Sequence, residues 1–153
     1  MSQEEVQAEQ PGEKAGFLIH RHYLNDLSVE NPVGRIANED VPKVQQGMDG
    51  RVDVFSMEEE NRFRVDMQLQ LTAVVESRTV FLAEITYRAE VELVGIAKGL
   101  EAEVLCVEVP SAMFPMLQEV LQRNAGYAGY PDMQLAPLDY RAMFERKQQQ
   151  PIK

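Results

Sequence analysis

From Arg62 to Leu93 the chain alternates apolar and polar residues through two long runs, and few folds accommodate such a pattern. Phe63, Val65, Met67, Leu69, Leu71, Ala73 and Val75 take every second position. After a turn at Ser77 and Arg78 the pattern resumes with Phe81, Ala83, Ile85, Tyr87, Ala89, Val91 and Leu93. Successive side chains on a strand point to opposite faces, so the stretch predicts a long antiparallel hairpin with one buried and one wet face. The second strand departs from its own rule, because Val80 and Leu82 fall at wet-face positions just before Glu84. An apolar pair beside a carboxylate on a polar sheet face marks a docking surface.

Upstream, Phe17 to Glu30 predicts a first strand. Phe17, Ile19, Tyr23, Leu27 and Val29 share one parity, and Leu18, His20, His22, Leu24, Asp26, Ser28 and Glu30 the other. Arg21 and Asn25 interrupt the apolar side, and a bulge near Asn25 accounts for them. Asn31 to Gly47, punctuated by Pro32, Gly34 and Pro42, reads as a loop long enough to cross the fold or bind something. Val52 and Val54 mark a short strand, and Glu58 to Asn61 a charged turn into the hairpin.

Downstream, Lys98 to Glu108 reads as a short helix stopped by Pro110, with Ser111 as the N-cap of the next. Met113, Phe114, Leu117, Val120 and Leu121 follow helical spacing, with Pro115 in the first turn and Gly126 as the stop. Asp139 caps a last helix carrying Tyr140, Met143, Phe144 and Lys147 on one side. Four antiparallel strands followed by helices predict an α+β fold, with the helices packed on the sheet's apolar face. Residues 16–149 are expected to form one domain, between an acidic disordered leader (1–15) and a short tail (150–153).

A net charge of -10 argues against nucleic acid and anionic membranes and favours a partner with basic patches. One cysteine, Cys106, excludes an intrachain disulfide and a thiolate metal cluster, as expected in a reducing cytoplasm. The N-terminus lacks the basic start and apolar core of a signal peptide, and no stretch reads as apolar for long enough to span a bilayer. His20 and His22, two apart, read as solvent-facing, since zinc needs further ligands that the chain does not supply. With Cys106 an inert thiol and no phosphate loop or nucleophile elbow, no residue is poised for catalysis, and no metal or cofactor is expected. Met113, Phe114, Tyr127, Tyr130 and Phe144 cluster in the C-terminal third. They suit either the core beneath the helices or an adaptable apolar groove.

Several stretches resemble the SecB family of bacterial protein-export chaperones. They are Phe17-Leu-Ile-His-Arg-His-Tyr-Leu-Asn-Asp-Leu-Ser-Val-Glu-Asn-Pro, Phe81-Leu-Ala-Glu-Ile, Gly95-Ile, Val109-Pro-Ser-Ala-Met-Phe-Pro and Tyr130-Pro-Asp-Met-Gln-Leu-Ala-Pro-Leu-Asp-Tyr, in the family's order. The resemblance implies a four-stranded antiparallel sheet with helices on one side, assembled as a homotetramer that is a dimer of dimers. It implies an ATP-independent holdase that binds unfolded precursor proteins and hands them to the SecA motor. The motor site maps to Asp26, Glu30, Leu82 and Glu84, all placed on the wet face by parity alone. Arg88-Ala89-Glu90-Val91 departs from the family pattern, which carries a glycine-rich bend and Phe there, and the crossover loop has no aromatic residue. A SecB-like chaperone dedicated to one client such as an antitoxin is the alternative, followed by a small-molecule-binding α+β module.

Overall fold

The computed structural model of the chain describes residues 15–32, 44–130 and 133–149. The expected leader up to Lys14, most of the crossover loop, Pro131, Asp132 and the tail lie outside the described residues. Four strands make one antiparallel sheet: β1 Gly16–Glu30, β2 Gln45–Ser56, β3 Arg62–Val75 and β4 Arg78–Val94, in the order β1-β4-β3-β2. Two helices follow, α1 Glu101–Tyr127 and α2 Tyr140–Gln149.

The alternating hairpin is the centre of the sheet. Phe63 pairs with Val91, and the register runs to Ala73 opposite Phe81, which aligns the two apolar series on one face. Val65, Met67, Leu71, Phe81, Ala83 and Val91 are fully buried there. The α1 residues Met113, Phe114, Leu117, Leu121 and Ala125 belong to the same core. Each large side chain so buried contributes roughly 1.5–3 kcal/mol. The hairpin turn falls at Glu76 and Ser77, one residue earlier than expected, with φ of 47° and 64°. Two central residues at positive φ match the twist of the flanking strands.

Three bulges set which face several residues take, since an extra residue flips the parity of the strand beyond it. In β4 the register steps from Ala73 opposite Phe81 to Val74 opposite Thr79, so Val80 is the extra residue and is buried in the core rather than on the wet face. In β1, His20 and Asn25 are extra residues. The bulge at Asn25 is the expected one; the bulge at His20 has no signal in the sequence. Between them the faces exchange. His22 and Leu24 sit opposite the inward Ala89 and Tyr87, while Tyr23 moves to the outer face opposite Arg88. Beyond Asn25 the original parity is restored.

β2 begins at Gln45 and is longer than the two valines suggest. Gly50 lies on its inner face, where a Cβ would stand 2.5 Å from Leu138 Cδ1 and 3.3 Å from Met143 Cε. A larger residue here would make the ends of the Leu138 and Met143 side chains move aside.

α1 runs through Pro110 instead of stopping there. The five residues Val104–Glu108 are wound as a π-helix, and the Val109 N–H bonds the Val104 carbonyl five residues back. The ladder therefore changes register immediately before the residue that has no N–H to give, which relieves the clash that ends ordinary helices. Ser111 is not a cap; its hydroxyl donates to the Val107 carbonyl at 2.6 Å. Pro115 sits inside the helix, at an exposed position.

The helix ends at Ala128 rather than Gly126, with Gly129 at φ 100° and the Tyr130 N–H bonding the Ala125 carbonyl at 2.8 Å. This is the paired C-terminal bonding that glycine favours. Asp139 does cap α2, accepting the Ala142 N–H at 2.9 Å. Read as one element, α1 contains an 18-residue window of mean hydropathy 1.4, long and apolar enough to span a bilayer. That corrects the contrary expectation, which splits the helix at Pro110. Half of the window is buried inside the protein, as for the core helix of a folded domain.

Phe81 is fully buried and meets the Tyr130 ring edge-on at 5.9 Å. Phe81→Ala is expected to cost about 3–5 kcal/mol, read as a lower urea midpoint at unchanged slope.

Candidate functional site

The sheet has two working faces. On the outer face, Glu30 lies opposite Leu82, Ser28 opposite Glu84 and Asp26 opposite Thr86. Opposite residues of an antiparallel pair share a face, so Asp26, Glu30, Leu82 and Glu84 form one patch across β1 and β4. The three carboxylates are exposed and Leu82 is half-buried among them. Gln70 on β3 donates to Glu84 at 3.3 Å. A shallow depression of about 290 Å³ includes Asp26, Glu84, Thr86 and Asp49. An apolar side chain ringed by acids suits a partner surface of opposite charge.

The other end of the same face is a ladder of arginine–carboxylate pairs. Arg88 binds Asp66 through two hydrogen bonds of 2.8 and 3.1 Å. Arg21 grips Glu90 with its Nε and Nη2 groups. Arg64 stands 3.4 Å from Asp66 and its guanidinium lies 4.2 Å over the Phe55 ring. The Tyr23 ring sits between the Arg21 and Arg88 guanidiniums, at 5.6 and 5.9 Å. Asp66 and Glu90 are buried beneath these side chains although they point away from the core. Forked arginine bonds supply the donors a buried carboxylate needs.

The hydrogen bond from Arg21, with its charge and those of Arg88 and Arg62, holds the Glu90 carboxyl below the usual range. Binding to Asp66 likewise raises Arg88 above the ordinary arginine value. Arg88 and Glu90 belong to the stretch that departs from the family pattern, so ion pairs occupy that position here. Sequence reasoning missed the ladder because the Arg21–Glu90 pairing depends on a bulge at His20 that no residue announces, and the Arg88–Asp66 pairing on the hairpin register beyond the bulge at Val80.

On the inner face, an open groove of about 700 Å³ runs between β2 and α2. Met48, Val52, Leu138, Met143 and Phe144 are half-buried on its walls, with Cys106 of the π-helical turn at its floor. Burial pushes the Cys106 thiol up, against a smaller opposing pull from the Lys147 ammonium. Burial also pushes the Tyr140 hydroxyl up to about 12. Both groups stay protonated at neutral pH.

The five C-terminal candidates are not brought together. Met113 and Phe114 are each 4% exposed and belong to the core, which corrects their assignment to a client surface. They sit on the α1 stripe that faces the sheet. Tyr130 is half-buried against Phe81, Phe144 lines the groove, and Tyr127 is 81% exposed at the end of α1. The two histidines part company. His20 bonds Glu92 at 2.8 Å and His22 bonds the Tyr87 hydroxyl at 2.6 Å, on opposite faces of the sheet.

A family model described as preprotein translocase subunit SecB matches residues 9–151. The chain belongs to the SecB family. A protein-export protein SecB from Cellvibrio japonicus is 30% identical over 130 residues, covering 84% of this chain and 76% of its own. One from Rickettsia bellii is 26% identical over 132 residues, covering 84% and 86%. Among solved structures, a SecB-like chaperone of Mycobacterium tuberculosis in complex with a peptide from the HigA1 antitoxin aligns with a TM-score of 0.67 at 14% identity. The alignment covers 80% of this chain and 91% of that one. The α+β sheet-and-helix fold is thus the SecB fold.

Glu90 has a lower pKa folded than unfolded. Its stabilisation is complete above its ordinary value of 4.5 and is lost as pH falls through the lowered folded value. Glu90→Gln should therefore flatten the dependence of Tm on pH below about pH 5, measured from pH 7 to pH 3. An unchanged slope would show that Glu90 carries none of it.

Proposed function

We propose that this SecB-family protein is an ATP-independent protein-export chaperone that holds unfolded precursor proteins and delivers them to the SecA motor in the cytoplasm. One observation carries the reading: an open groove with a partly apolar wall, and a leucine flanked by carboxylates, lie on opposite faces of one sheet. Two partners can then be engaged at once without competing for surface. The relatives named as protein-export proteins support the export role.

Capture needs no chemistry. Unfolded chains expose apolar segments, and burying them in the groove yields about 25 cal/mol per Å² without sequence recognition. Selection is then kinetic. At about 10⁶ M⁻¹s⁻¹ and about 1 µM chaperone, capture takes on the order of a second, so fast folders escape and slow ones are held. At the outer face, Asp26, Glu30 and Glu84 steer a basic surface of the motor and Leu82 anchors it. Assembly as a dimer of dimers fits β1, a 15-residue edge strand. Its inner-face residues Ile19, Leu24 and Val29 remain 37–41% exposed. Tetramer symmetry then multiplies weak contacts along one client.

Stoichiometric protein should delay refolding of a slow-folding precursor, followed by intrinsic fluorescence; undelayed refolding rejects the holdase. Glu84→Lys and Leu82→Arg should each weaken motor binding about tenfold or more in a titration, with client capture intact. Equal loss of both activities would mean that the two faces are not separate sites.

A further inference from the structure

The groove is not electrostatically neutral. Five charged residues border it, and two of them, Arg51 and Asp53, cancel each other in a pair of 2.9 Å. Arg146 and Lys147 of α2 remain against Asp49 alone. Asp49, like Arg51 and Asp53, lies on the outer face of β2, and Asp49 and Arg51 also border the outer depression. Among the described residues neither Arg146 nor Lys147 forms an ion pair; the Arg146 Nε only touches the Ala142 carbonyl of its own helix, at 3.3 Å. Lys147 and Cys106 line the same groove. A protein of net charge -10 thus places two cations, Arg146 and Lys147, beside the half-buried Met143 and Phe144 on one wall of the groove.

The opposite wall is the sheet edge. Among the described residues β2 pairs only with β3, and it is 12 residues long, so the N–H and C=O groups on its other side can accept an extended chain as a further strand. In an extended chain, side chains alternate. One parity enters the groove over Met48, Val52 and Met143, and neighbouring residues meet the rim.

Resting on the client reading above, we propose that the groove selects extended client segments whose apolar residues are flanked by Asp or Glu, with Arg146 and Lys147 reading the carboxylates. Free polyanions do not compete, because the net negative field of the chain repels a ligand that lacks an apolar anchor.

The test uses the full chain and three fluorescent peptides with one apolar core flanked by Glu, Ser or Lys, titrated by anisotropy. The Glu-flanked peptide is expected to bind about five- to tenfold tighter than the Lys-flanked one, with Ser between, as a pair of partly exposed contacts allows. In 1 M salt, where the screening length is about 3 Å, the three should converge. Arg146→Glu/Lys147→Glu should reverse the order, and Arg146→Gln/Lys147→Gln should flatten it. Equal affinities at low salt, tighter binding of the Lys-flanked peptide, or an order untouched by both variants would overturn the selectivity while leaving the holdase standing. No binding by any of the three would remove the client groove, and this inference with it.

Discussion

Everything in this protein rests on burying one face of the β3–β4 hairpin. Val65, Met67, Leu71, Ala73, Phe81, Ala83, Ala89 and Val91 lose all contact with water. No single-sheet arrangement achieves that without a second layer, so the helices must lie over this face. The outer face is then free to be polar. The groove forms where the helical layer meets the sheet edge, and the acidic patch lies on the face that the helices leave bare.

The outer face also explains how a sheet can be exposed on one side and still be stiff. Asp66 and Glu90 are nearly dry, yet each is bound by arginine from a neighbouring strand. A buried carboxylate without such donors would cost several kcal/mol. The ladder occupies one end of the face and the acidic patch around Leu82 the other. At that second end Asp26, Glu30 and Glu84 form no ion pair among the described residues. Gln70 donates a hydrogen bond to Glu84.

Irregularities do much of the positioning. Two bulges in β1 carry Tyr23 outward between two guanidiniums and return Asp26 and Glu30 to the face of Glu84. A third pulls Val80 into the core and leaves Leu82 alone as the apolar element of the patch. The π-helical turn lets α1 continue past Pro110 and places Cys106 under the groove. Gly50 leaves room for the Leu138 and Met143 side chains to pack directly on β2.

Period-two alternation alone determined the hairpin, its inward series and the outward aim of Asp26, Glu30, Leu82 and Glu84, because side-chain direction on a strand is a local property of the backbone. The asparagine and aspartate signals likewise marked the bulge at Asn25 and the cap at Asp139. The bulges at His20 and Val80, the passage of α1 through two prolines and the withdrawal of Met113 and Phe114 into the core were decided only by tertiary structure. Each turns on a register or a packing partner far away in sequence. The groove belongs to the same class. Its cations and its apolar wall are contributed by β2 and α2, nearly a hundred residues apart, and nothing short of the folded sheet brings them together.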